Sequence, residues 1–321
     1  MFQNYPRLTA VFQALFVTFL WATSFVLIKI GLVDIPALTF AGLRYTLAVV
    51  CLIPIVLRYG FAATLYDIPR RTWAYLFGLG LLLYAGTQGA MFVSLVYLPA
   101  VTVNLLWTFS NVVVALLGIA LLAERPTWLQ WLGVVIATVG ALIYFYPIAL
   151  QGSQLFGVFV AVVGVCANAS AAILGRHVNR SGNLHPLIVT IVSMGIGSII
   201  LLTSAILTQG LPSLGLSSWA IIAWLAVVNT AFAFTLWNHT LRTLSAMESS
   251  IINSTMLIWI PILAVIFLGE RITEKELIGL ALAGIGMLLV QLRRSVILLQ
   301  LWKSRVQVQR LIERAESHKG S

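Results

Sequence analysis

The chain has 321 residues, of which 60% are hydrophobic and 9% charged, with a formal net charge of +10. Soluble domains carry about 25% charged residues, so a water-soluble globular protein is excluded, and a β-barrel would need short alternating segments that are absent. The positive balance does not indicate nucleic acid, because it sits in short loops and the tail, where membrane topology puts it.

The apolar runs are long enough, at about 1.5 Å per residue, to cross a hydrocarbon core of about 30 Å as helices. The charged outer faces that buried helices of a large soluble protein would show are missing. Ten spans are predicted, near 9–31, 37–57, 73–96, 100–122, 127–147, 155–175, 186–208, 217–240, 247–268 and 275–293. Pro36, Pro99, Pro126, Pro147, Pro186 and Pro212 mark many of the ends. The first run is too long for a cleavable signal peptide.

Polar side chains within such spans are costly, so they face a cavity or a neighbouring helix. Span 1 carries Trp21 and Ser24, with Lys29 near its end, and span 2 carries Arg44 about two turns in. Each cation has two readings, service to an anionic group or snorkelling outward, and snorkelling is favoured. Span 3 holds Tyr84, Thr87 and Gln88. In span 4, Asn104, Trp107, Thr108 and Asn111 recur on one helical face. Span 6 adds Asn168, and span 8 adds Asn229, Trp237, Asn238 and His239. Span 9 opens on Glu248, repeats the polar register with Ser250, Asn253 and Ser254, and is expected to kink at Pro261. Lys29, Arg44, Glu248 and His239 are the candidates for charge coupling. Glu248 equally suits a helix N-terminus, and His239 equally suits plain solvation near a membrane face. No acid falls at mid-membrane, which disfavours a carboxylate relay for protons. Cys51 and Cys166 lie in apolar runs and read as packing residues. The tail from Arg293 places Leu298, Leu301, Trp302, Val306, Val308 and Ile312 on one face, as a basic amphipathic helix on an anionic leaflet would.

The chain repeats itself at an offset of 146 residues: Tyr97–Ile143 matches Thr243–Leu289 without a gap, including Glu124-Arg125 with Glu270-Arg271 and Gly133 and Gly140 with Gly279 and Gly286. The two Glu-Arg pairs lie at helix corners, where the carboxylate can accept from the next helix's free amides, and a catalytic role is rejected. The small residues allow close helix packing. With the N-terminus in the cytoplasm, 15 of the 19 Lys and Arg fall on the cytoplasmic side, and 8 against 3 without the tail and the intramembrane Arg44. Both termini are then cytoplasmic. Five spans per half is an odd number, so the halves run in opposite senses, as in transporters with inverted repeats.

The runs FLWATSFVLIKIG in span 1, YLPA before span 4, and the duplicated LLAER and FLGER endings resemble the drug/metabolite transporter superfamily, and within it the EamA-type exporters. The resemblance implies an all-α membrane fold of two inverted five-helix repeats, over 9–147 and 155–293, with 294–321 as a basic tail. It further implies that spans 1, 3, 4, 6, 8 and 9 line a central cavity and that spans 5 and 10 lie at the periphery.

On this reading the protein is a secondary exporter of a small amphipathic metabolite, an amino acid or a related compound, in the bacterial inner membrane. Trp21, Ser24, Tyr84, Gln88, Asn104, Trp107, Asn111, Asn168, Asn229, Trp237, Asn238 and Asn253 are the candidate substrate-binding residues. For each of them, interhelical hydrogen bonding is the competing role. A passive channel-like facilitator is the alternative, and a membrane enzyme would need clustered catalytic groups that are not found. There is no nucleotide-binding loop, and no cofactor or metal is expected. The expected partners are the solute and the lipid bilayer, with no nucleic acid. One chain holds both repeats, so a monomer suffices.

Overall fold

The computed structural model describes residues 6–58, 68–122, 127–147, 152–180, 184–210, 212–240, 243–244 and 246–290. The tail expectation and Glu124-Arg125 lie outside these residues. Among the described residues the fold is all helical: α1 (Pro6–Gly31), α2 (Ala37–Arg58), α3 (Arg70–Tyr97), α4 (100–122), α5 (Trp128–Phe145), α6 (Gly152–Arg180), α7 (Pro186–Thr208), α8 (216–240), α9 (246–268) and α10 (274–290). Eight of these stretches are long and apolar enough to cross a membrane, with Ala100–Val114 as a shorter apolar helix.

The helix starts follow local chemistry. At α5, Thr127 and Gln130 form a capping box. At α10, Thr273 and Glu276 do the same, 146 residues on, with the Thr273 amide donating to Glu276 Oε2 at 2.7 Å. The outer face of α5 is apolar along Trp128, Trp131, Val135, Val139, Leu142 and Tyr146, all exposed. Its inner face is small: Gly133, Ala137 and Gly140 are buried. This reverses the pattern of a soluble helix and leaves hydrocarbon for lipid to cover, with aromatic side chains at both ends.

Helices from the two halves pair by a two-fold rule. α2 packs on α7, α4 on α9, and α1 meets α8 as α6 meets α3. α5 and α10 are so close that a Cβ added at Gly133 would lie 2.6 Å from Gly286 O, and one at Gly140 would lie 2.6 Å from Gly279 O. Gly279 and Gly286 are the counterparts of Gly133 and Gly140 at the 146-residue offset. Each glycine therefore faces the counterpart of the other, and the order runs backwards along the partner helix. Only an axis perpendicular to both helices produces that pairing. The ends agree: Gln130 Nε2 donates to Val290 O at 3.4 Å, and Lys275 Nζ sits 5.6 Å from the Tyr146 ring centroid.

The irregularities repeat as well. α4 is interrupted at Phe109, whose amide reaches back three residues to Leu106 O, and α9 at Thr255, whose amide reaches Ile252 O. These two positions are 146 residues apart. α3 carries a π-helical stretch at Gly80–Gln88 and α8 one at Val227–Phe232, again near the shared offset. In α9 Pro261 sits inside the helical Met256–Leu263 piece, just before a π-helical stretch at Ala264–Leu268, and a separate break falls at Thr255. There the Thr255 hydroxyl bonds Ile252 O at 2.6 Å and meets Thr18 of α1 at 3.2 Å, giving the helix a side-chain partner where it opens.

Candidate functional site

Between the halves lies a cavity of about 500 Å³. Its walls come from α1, α2, α3, α4, α6, α8, α9 and α10, so α2 and α10 contribute in addition to the six spans that the resemblance implied. The polar stripe of α4 points into it whole: Asn104, Trp107, Thr108 and Asn111. Opposite stand Asn253 and Ser254 of α9, and Thr87 and Gln88 of α3 complete the amide and hydroxyl lining. Trp21 and Ser24 close one side and Asn168 another. Within the lining, Asn104 Nδ2 donates to Met256 O at 3.3 Å, just past the α9 break, and Asn168 Nδ2 donates to Ser110 Oγ at 2.9 Å, just past the α4 break. The breaks and the amides thus occupy the same level of the fold.

Among the described residues of this lining Arg44 is the charged group. The favoured outward reach does not hold for it: the side chain is 4% exposed and turned inward. Close packing of α2 on α7 sets that rotation, since a Cβ at Gly42 would already lie 3.0 Å from the Leu202 backbone. Arg44 Nε donates to Thr230 Oγ1 at 3.1 Å, and Thr230, in the π-helical stretch of α8, in turn donates to Leu225 O just before it. Its guanidinium carbon lies 5.3 Å from the Tyr45 ring centroid and 5.9 Å from that of Phe92.

Several candidate residues have other surroundings. Asn229 is fully buried, and its amide donates to Leu20 O, to Thr23 Oγ1 at 2.9 Å and to Ser24 Oγ at 3.0 Å, tying α8 to α1. Tyr84 is buried edge-on to Tyr45, their centroids 5.6 Å apart. Trp237 packs against Trp21, the rings tilted by 50° with centroids 5.2 Å apart, and is not part of the cavity lining. The Asn238 side chain lies outside the described atoms, and His239 is exposed at the end of α8.

The remaining charges hold ends together. Lys29 does not snorkel: Nζ donates to Leu95 O at 2.5 Å and Leu98 O at 2.7 Å, where the last carbonyls of α3 favour a cation. Glu270 caps a helix, as a corner carboxylate should, but not the one that follows it. It accepts from the amides of Ala100 at 2.6 Å and Val101 at 3.2 Å, at the start of α4 in the other half. Glu248 is ion-paired to Arg7 of α1 at 2.5 Å, away from the cavity lining. Phe25, Tyr45, Met91, Phe234, Met256 and Leu257 also line the cavity. Sequence reasoning missed them, because apolar residues carry no signal against an apolar span.

The profile of the EamA-like transporter family matches this chain twice, over residues 8–146 and 155–292. The "Probable amino-acid metabolite efflux pump" of Salmonella typhimurium is 28% identical over 172 residues, which is 53% of this chain and 46% of that protein. The match thus spans about half the length of that relative. A solved chain described as "Crystal structure of protein" superposes on 88% of this one and over 98% of its own length, with a TM-score of 0.64 at 17% identity, a likeness of fold. With two copies of one family unit covering nearly all described residues, and helices long and apolar enough to cross a membrane, the chain belongs to the EamA-like transporter family of integral membrane proteins.

Proposed function

We propose that the protein is a secondary exporter that carries a small amphipathic metabolite, an amino acid or a related compound, across the bacterial inner membrane by alternating access. Ten spans cross the bilayer, α4 and α10 among them, with both termini in the cytoplasm and one chain as the working unit. The observation that carries the reading is the reciprocal, antiparallel glycine pairing of α5 and α10. Its axis lies across the helices, so the halves enter the bilayer in opposite senses, and exchanging their conformations exchanges the face to which the cavity opens. The lining of indoles and amides supports an amphipathic solute, with rings for its apolar part and amides for its polar groups. Trp21, Ser24, Gln88, Asn104, Trp107, Asn111, Asn168 and Asn253 are its contacts, whereas Asn229, Tyr84 and Trp237 shape the walls behind them. The printed name of the Salmonella relative supports amino-acid metabolites as the cargo class. Among the described residues no Asp or Glu lines the cavity, which favours exchange or the solute's own gradient over a carboxylate relay for protons.

Counterflow in proteoliposomes tests this reading. Unlabelled solute inside should accelerate entry of labelled solute, because a carrier returns faster loaded than empty. Entry indifferent to internal solute would mark a channel-like facilitator and remove alternating access.

A further inference from the structure

We propose that Arg44 is the seat of a carboxylate, and that the cavity selects small amphipathic monocarboxylates through that group, without need of an amino group. The inference rests on the transport reading above and names its substrate class. Arg44 is nine-tenths buried and lines the cavity. Its Nε is held by Thr230, while its Nη1 has no protein acceptor. Among the described residues no carboxylate pairs with it. A buried cation left in this way is costly in lost solvation unless an anion answers it. The guanidinium fork matches a carboxylate in plane and spacing.

A second observation points the same way. Trp21 Nε1, on the same lining, is also a buried donor without an acceptor. Among the described residues the lining therefore holds no acid: its two buried, unpaired donors favour a carboxylate, whereas an ammonium group would meet only neutral oxygens. One cation balances one negative charge, so a monoanion fits better than a phosphate dianion. Trp107, Phe25 and Phe234 supply apolar surface for the rest of the molecule.

The test compares hydrocinnamate, hydrocinnamamide and phenylpropylamine, which share one apolar body. The readout is the shift each gives to thermal unfolding of the purified full chain. Hydrocinnamate should stabilise the wild type most, and Arg44→Gln should weaken its binding by about tenfold to a hundredfold, the loss of a charge-assisted pair. The variant should unfold no earlier than the wild type without ligand, because it removes an unpaired buried charge. Equal shifts from all three probes, a preference for the amine, or unchanged hydrocinnamate affinity in Arg44→Gln would overturn the proposal. If the variant does not fold, the ranking of the three probes on the wild type decides alone. A chloride-induced shift that hydrocinnamate cannot displace would also overturn it, by making the site a halide seat. Silence from all three probes overturns it too, and counterflow with other solutes then tells whether the transport reading falls with it.

Discussion

Replacing Gly140 by alanine probes the close α5–α10 contact. The new Cβ would lie 2.5 Å from Ala283 N, 2.6 Å from Gly279 O and 3.0 Å from Leu282 Cβ, against 3.4–4 Å for an ordinary contact. Two of those neighbours are backbone atoms, so no side chain can swing away, and α10 must retreat by roughly 1 Å, a shift of the size that costs overpacked cores ~1–3 kcal/mol. The retreat also loosens the reciprocal approach of Gly279 to Gly140 O, so the upper end of that range applies. Alanine returns ~1 kcal/mol through its higher helix propensity, which leaves a net loss of ~2 kcal/mol. Gly284, on the same α10, has nothing within 4 Å of its Cβ position. Gly284→Ala should therefore gain up to ~1 kcal/mol, and the two variants should differ by ~3 kcal/mol. Reversible unfolding in detergent followed by tryptophan fluorescence measures both. Equal stability of Gly140→Ala and Gly284→Ala would refute the close approach, and with it the two-fold pairing.

Other consequences concern single side chains. Glu270→Ala removes the cap on α4 from across the halves and should cost ~1 kcal/mol in the same unfolding assay, whereas a loss confined to local fraying of α10 would show that the cap is not made. Asn104→Ala and Trp107→Ala should each slow transport by roughly tenfold, a lost contact of about 1.4 kcal/mol, while membrane insertion stays intact; wild-type rates would remove these residues from the site. Glu248→Gln breaks a largely exposed pair with Arg7 and should cost no more than ~0.5 kcal/mol. It should leave the pH profile of transport in proteoliposomes unchanged, and a shifted profile would return Glu248 to the coupling machinery.

The repeat, the helical content and the polar stripe of α4 were legible because each rests on spacing alone. A helical face is set by residue intervals, and Asn104, Trp107, Thr108 and Asn111 keep theirs across the break at Phe109. What escaped depends on how helices are turned against one another. Arg44, two turns into α2, reads the same whether it points out or in, and the packing of Gly42 on Leu202 settles it. Asn229 shows the converse: an amide in a span looks like a ligand contact until a neighbouring helix offers Leu20 O, Thr23 and Ser24 to bond it. Glu270 was expected to cap the helix that follows it, but Thr273 and Glu276 already serve that end, which frees Glu270 for α4. The opening at Thr255 carries no glycine or proline, the usual punctuation of a broken helix, so nothing in the sequence marks it.

The opposed threading of the two halves is tested most directly at Trp128 and Glu274. Both are exposed, both stand at the start of a helix, and they are 146 residues apart. In a chain with Cys51 and Cys166 replaced by serine, a single cysteine is placed at either position, and intact cells are treated with a membrane-impermeant maleimide. The account predicts that Glu274→Cys is labelled from outside and Trp128→Cys only after the cells are opened. Labelling of both positions from the same face would contradict it.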